Sequence, residues 1–113
     1  MTFETVTSAK HYFDTLPQRF QPAGAKGMNA TFQFELAGDD GGTWHVIVSD
    51  GTMAIHEGAH EAPTATIKMK AADYVQMVNG KLNGTMAFMK GQMKVTGNML
   101  LAQKMQAVFP QSK

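Results

Sequence analysis

The sequence predicts an α+β domain: a five-stranded, mostly antiparallel sheet with helices packed on one face. Three observations lead there. Residues 28–70 alternate apolar and polar side chains in four runs separated by glycine-bearing loops. Residues 71–109 then change to helical spacing, broken only by a short fifth run at Gln92–Thr96. Short loops between consecutive strands favour antiparallel pairing, and a strand meander followed by helices favours a layer of helices on one sheet face.

The elements follow in order. Thr7 or Ser8 can cap a first helix running to about Leu16, with Ala9, Tyr12, Phe13 and Leu16 on one face, and Pro17 is expected to restart the chain. Gln21–Gly27, with Pro22, Gly24 and Gly27, reads as a loop. In the first strand, from Met28, Phe32, Phe34 and Leu36 alternate with Thr31, Gln33 and Glu35; in the second, Thr43–Ser49, Trp44, Val46 and Val48 share a face. Asp50-Gly51 is a two-residue hairpin signal, because glycine readily takes positive φ, and the third strand spans Thr52 to about Glu57. Thr64–Lys70 sets Ala65, Ile67 and Met69 against Thr64, Thr66 and Lys68 as the fourth. Helices are expected over Ala71–Val78, stopped by Gly80, over Gly84–Met89, and from an Asn98 cap to about Phe109, with Pro110 as terminator.

Composition bounds the function. The chain has 113 residues, 43% of them apolar, with no run of about 18 apolar residues, which is the pattern of one soluble domain over residues 1–113. Met1–Lys10 lacks a basic stretch followed by an apolar one, so the cytoplasm is the expected location. The absence of cysteine removes disulfides, thiolate nucleophiles and cysteine metal sites. A net charge of +1 with scattered basic residues gives no footprint for nucleic acid. Ten methionines stand out, because this flexible side chain suits both irregular core gaps and surfaces that fit more than one shape.

His56-Glu57-Gly58-Ala59-His60 matches H-E-x-x-H, in which a helix presents two histidines to zinc and a glutamate acts as base. The chemistry needs a helix through all five residues. Strand-like alternation enters this segment, Gly58 interrupts it and Pro63 follows, so coincidence is the better reading. His11 and His45 have no metal-ligand spacing, Asp39-Asp40 lacks the repeated oxygen ligands of a calcium loop, and no serine sits in a nucleophile motif. Neither catalytic residue, metal nor cofactor is expected.

The stretch Gly80–Asn98, KLNGTMAFMKGQMKVTG between its ends, resembles the signature half of the sterol carrier protein 2 family. Ala102, Lys104, Met105 and Phe109 resemble the family's closing A-x-K-L-x-x-x-F, with Met105 in the place of leucine. Upstream, Gly42-Thr43-Trp44, the Asp50-Gly51 turn, and Gly58 with Pro63-Thr64-Ala65-Thr66-Ile67 also fit. The resemblance implies an apolar tunnel between sheet and helices, the binding and transfer of fatty acids, fatty acyl-CoA, sterols or phospholipids, and no catalytic residues. The final Gln111-Ser112-Lys113 departs from the S-K-L address of peroxisomal members.

Combining the resemblance with helical spacing, the expected tunnel walls and mouth are Tyr74, Val75, Met77, Val78, Met86, Phe88, Met89, Leu101, Met105 and Phe109. A rigid empty void of about 300 Å³ would cost on the order of 7 kcal/mol. The lipid-free protein is therefore expected to collapse partly around its methionines, or to hold a lipid acquired from its host. The partner is a lipid or another apolar small molecule. Transient membrane contact and oligomeric state stay open, although the helices' apolar faces read as core rather than as anchors. The competing reading is an accessory or protein-interaction domain with a packed interior.

Overall fold

A computed structural model describes residues 6–38 and 41–101. Five strands form one sheet: β1 (Asn29–Ala37), β2 (Gly42–Ser49), β3 (Thr52–Glu57), β4 (Ala65–Lys70) and β5 (Met93–Gly97), in the order β3-β2-β1-β4-β5. Three of the four ladders are antiparallel: β1–β2 and β2–β3 across the short connections that predict it, and β4–β5 across the α2–α3 segment. The fourth, β1 with β4, is parallel, with Phe32 beside Ala65 and Phe34 beside Ile67. The Asp50-Gly51 turn between β2 and β3 takes positive φ at both residues, 41° and 84°, which matches the twist of the strands it joins. Asp50 also ties this turn to the preceding loop, accepting from the Gly27 N–H at 2.7 Å.

Parallel pairing requires the chain to pass from β3, at one sheet edge, across β2 and β1. Residues 58–64 make that crossing. The Gly58 N–H donates to the Thr43 carbonyl, the His60 N–H to Gln33 Oε1 at 2.7 Å, and the Thr64 N–H to the Thr31 carbonyl. Gln33, expected on the solvated face, is consequently buried. Its amide is satisfied on both sides, since Nε2 donates to Glu35 Oε2 at 2.7 Å.

Helix α1 (Ala9–Arg19) is capped by the Ser8 hydroxyl, which accepts from the His11 N–H at 3.1 Å. It does not stop at Leu16: Pro17 lies inside it, and the last turn survives because the Phe20 N–H reaches the Leu16 carbonyl at 3.0 Å. Proline removes one hydrogen bond near the end of a helix, where the remaining bonds hold the turn. A 3₁₀ turn, Pro22–Ala25, occupies part of the expected loop. Helices α2 (Ala71–Val78) and α3 (Gly84–Met89) fall where spacing places them. Asn83 caps α3 through its side chain, and Asn98 accepts from the Leu101 N–H to open the last helix, whose residues beyond Leu101 lie outside the described part.

The core lies on one face of the sheet. Phe32, Phe34, Trp44, Val46, Val48 and Ile67 meet Tyr12, Phe13 and Leu16 of α1 and Tyr74, Met77 and Val78 of α2. Among the described residues, no helix is long and apolar enough to cross a membrane.

Candidate functional site

The helical layer divides into two regions that differ in how tightly they close. Over the centre of the sheet, Phe13 stacks on Trp44 with ring centroids 4.6 Å apart and meets Tyr12 and Phe34 edge-on at 5.1 and 5.2 Å. Tyr74 of α2 adds contacts to Tyr12 and Phe34 at 5.2 and 5.7 Å. These rings interlock in edge-to-face and stacked geometry. The amino-terminal segment is tied to the end of α2 by a reciprocal pair: the Val6 N–H donates to Asn79 Oδ1, and Asn79 Nδ2 donates to the Val6 carbonyl, both at 2.8 Å.

Beyond β4 the packing changes. Met93 and Val95 of β5, Leu82 before α3, and Leu101 at the start of the last helix lie against the core but are only partly buried. In α3 Ala87 is fully enclosed, while Met86, Phe88 and Met89 are 47%, 45% and 75% exposed. Successive helical residues turn by about 100°, so a helix that points alanine inward must direct Met89 nearly the opposite way.

The residues expected to line a tunnel therefore fall into groups. Tyr74, Met77 and Val78 are buried, and Val75 and Leu101 are half-buried against the same core. Met86, Phe88 and Met89 sit on the outside of α3. Met105 and Phe109 lie outside the described residues. Helical spacing brings these side chains into neighbouring helices but cannot tell which side of so short a helix is turned inward.

A cleft of about 750 Å³ opens at the carboxyl ends of β1 and β4, bordered by Leu36, Met69, Lys70, Asp73 and the Lys90–Gln92 turn. Sequence reasoning did not anticipate it, since the parallel β1/β4 pair that forms its floor joins residues far apart in the chain. Its lining mixes apolar side chains, Leu36 and Met69, with charged ones, and Lys68 is paired to Glu35 at 3.6 Å.

The H-E-x-x-H segment is not helical: His56 and Glu57 end β3, and His60 lies in the crossing loop. His56 faces His45 across the ladder, and the His45 ring lies 5.2 Å from His56 and 5.1 Å from His60. His45 Nδ1 donates to the Gly58 carbonyl at 2.8 Å, whereas His60 Nδ1 accepts from the Ala62 N–H at 3.0 Å. The His45 bond fastens the start of the crossing loop to β2, and the His60 bond holds the loop's own turn. Among the described residues, no three acidic or histidine side chains are disposed to hold one metal ion.

Residues 13–110 match the model of the SCP-2 sterol transfer family. Bovine hydroxysteroid dehydrogenase-like protein 2 is 41% identical over 88 residues, which are 76% of this chain and 21% of that protein; the chain thus spans about a fifth of this relative's length. Among solved structures, palmitated SCP2L2 from Aedes aegypti superposes with a TM-score of 0.74 at 20% identity, covering 94% of this chain and 97% of that one. The sec-alkylsulfatase Pisa1 from Pseudomonas sp. also reaches 0.74 at 20% identity, over 91% of this chain and 16% of that protein. At such identities these two structures share the fold. A family match covering most of the sequence carries more: the chain belongs to the SCP-2 sterol transfer family.

Proposed function

We propose that this chain is a non-catalytic carrier that binds fatty acids, fatty acyl-CoA, sterols or phospholipids between the sheet and its helices and passes them on in the cytoplasm. The observation that carries the reading is the unequal closure of the helical layer. The aromatic cluster seals the centre. The α3–β5 end is closed by the half-buried Leu82, Met93, Val95 and Leu101, with Ala87 of α3 turned inward. An acyl chain enters at this end, against Leu82, Met93 and Val95. Tyr74, Val75, Met77 and Val78 form the inner wall. Met86, Phe88, Met89, Leu101, Met105 and Phe109 form the mouth. Belonging to the SCP-2 family supports lipid as the cargo, as does the shared fold with the palmitated SCP2L2 of Aedes aegypti.

The energetics suit a carrier. Burying a dozen methylenes at about 0.8 kcal/mol each supplies up to roughly 10 kcal/mol before association and ordering costs, enough for micromolar affinity without polar recognition. Discrimination between neighbouring acyl lengths is correspondingly low.

Native mass spectrometry of freshly purified protein, repeated after delipidation and after adding palmitate, tests the proposal. A stoichiometric adduct that leaves and returns supports it. A protein that carries nothing and takes up nothing refutes it, in favour of a packed interaction domain.

A further inference from the structure

We infer that the outer side of α3 is the surface through which this protein docks on anionic lipid bilayers. The inference deepens the carrier reading, on which its purpose rests, by naming the surface from which cargo is exchanged. Two independent observations meet there.

The first is apolar. In α3 the smallest side chain, Ala87, faces the protein and the three largest, Met86, Phe88 and Met89, face solvent. Met86 and Met89 are one turn apart and share a side of the helix, and Phe88 is exposed on the same turn, about 100° around the axis from Met89. Isolated exposed apolar residues are ordinary, but a helix inverted in this way offers a small greasy knob that is not packed on the core formed by the described residues.

The second is electrostatic. The last acidic residue of the chain is Asp73. Residues 74–113 carry five lysines and no carboxylate side chain, a side-chain charge of +5, whereas residues 1–73 carry nine acidic and five basic side chains, or −4. The near-neutral total conceals this division. Lys81 and Lys90 flank α3 on either side and are exposed. The ion pairs among the described residues engage Lys10 with Asp14 and Lys68 with Glu35, leaving Lys81, Lys90 and Lys94 without a carboxylate. Apolar side chains rimmed by unpaired lysines match the two layers of a bilayer surface, acyl chains below and anionic headgroups above. A purely protein partner would need a complementary acidic collar around an apolar pocket; a phosphatidylserine-containing bilayer presents both features everywhere.

Flotation of the full chain with vesicles tests the docking. Binding is expected to vesicles containing about a third phosphatidylserine and not to phosphatidylcholine alone, and to be lost in about 0.5 M salt, where screening is short-ranged. Lys90→Gln is expected to weaken it about fivefold and Met89→Ser about tenfold. Lys26→Gln, the same charge change in the acidic part of the chain, should leave it nearly unaltered. Because Met89 is largely exposed, its replacement should not unfold the protein, and an unchanged melting temperature checks this. Equal binding to neutral vesicles, insensitivity to both α3 changes, or a dimer in sedimentation equilibrium that Met89→Ser dissolves would each overturn the inference. Palmitate uptake in vesicle-free buffer separates the two readings. Uptake without vesicle binding removes the docking surface and leaves the carrier; vesicle binding without uptake removes the carrier and leaves the surface.

Discussion

Truncating Phe13 to alanine tests whether the aromatic cluster is the structural anchor of this protein. The side chain is 3% exposed and its ring has four aromatic neighbours, with centroids between 4.6 and 6.2 Å away. Replacing a buried phenylalanine with alanine costs about 3–5 kcal/mol, and the loss of several ring pairs places this site toward the upper end. For a chain of 113 residues the unfolding entropy near the midpoint is about 0.24 kcal/mol per degree, so a loss of 4–5 kcal/mol lowers the melting temperature by roughly 17–21 °C. Urea denaturation followed by the fluorescence of Trp44, the single tryptophan, reports the same change as a shifted midpoint. Phe88→Ala is the matched control. That ring is nearly half exposed on α3, and its loss should cost less than about 1 kcal/mol. If Phe13→Ala cost less than about 1.5 kcal/mol, or if Phe88→Ala cost as much, the division into a sealed centre and a loosely closed end would be wrong. Palmitate at a fixed concentration of about 100 times the wild-type dissociation constant should add about 2.7 kcal/mol to the wild type and less to both variants, because Tyr74 belongs to the ring cluster around Phe13 as well as to the proposed inner wall, and Phe88 to the proposed mouth.

Three further outcomes are expected. Gly97 has φ of +89°, and a Cβ there would lie 2.4 Å from the Thr64 carbonyl oxygen, so Gly97→Ala should destabilise by roughly 2–3 kcal/mol in a urea titration. Gln33→Leu strips the His60 N–H of its acceptor beneath the crossing loop and should cost about 1–3 kcal/mol, with limited proteolysis newly cutting residues 58–64. Lys10, held above its ordinary value of 10.5 by the Asp14 carboxylate, gains from this partner in full below pH 10.5 and loses the gain as pH rises through the raised value. A melting-temperature difference between the wild type and Lys10→Met should therefore shrink in strongly alkaline buffer.

Much of the fold is written in local signals. Asp50-Gly51 places the β2–β3 hairpin, Asn83 and Asn98 mark helix starts through their side chains, and the bounds of α2 and α3 follow from spacing. The missed features are non-local or marginal. Pro17 looks like a terminator, yet a proline near a helix end breaks only one bond. The burial of Gln33 depends on a loop more than twenty residues away, which alternation within β1 does not reveal. At the candidate site, spacing puts Met86, Phe88 and Met89 on the right helix, but a six-residue helix has too few turns to define an inward face. Ala87, small enough to disappear from a list of large apolar residues, settles the orientation.

The sheet order also governs how the chain assembles itself. β1, β2 and β3 pair with their neighbours in sequence, and β4 pairs with β5 across the α2–α3 segment. Within the sheet the two halves meet along the single β1–β4 ladder, where Phe32 finds a partner 33 positions later in Ala65. Loop-closure entropy makes such a pairing slower than the hairpins on either side. Until it forms, the neighbouring edges of both halves are unpaired and sticky. A newly made chain is thus most prone to exchange halves with another copy in the interval before β4 docks on β1, and dilution during refolding should favour the monomer.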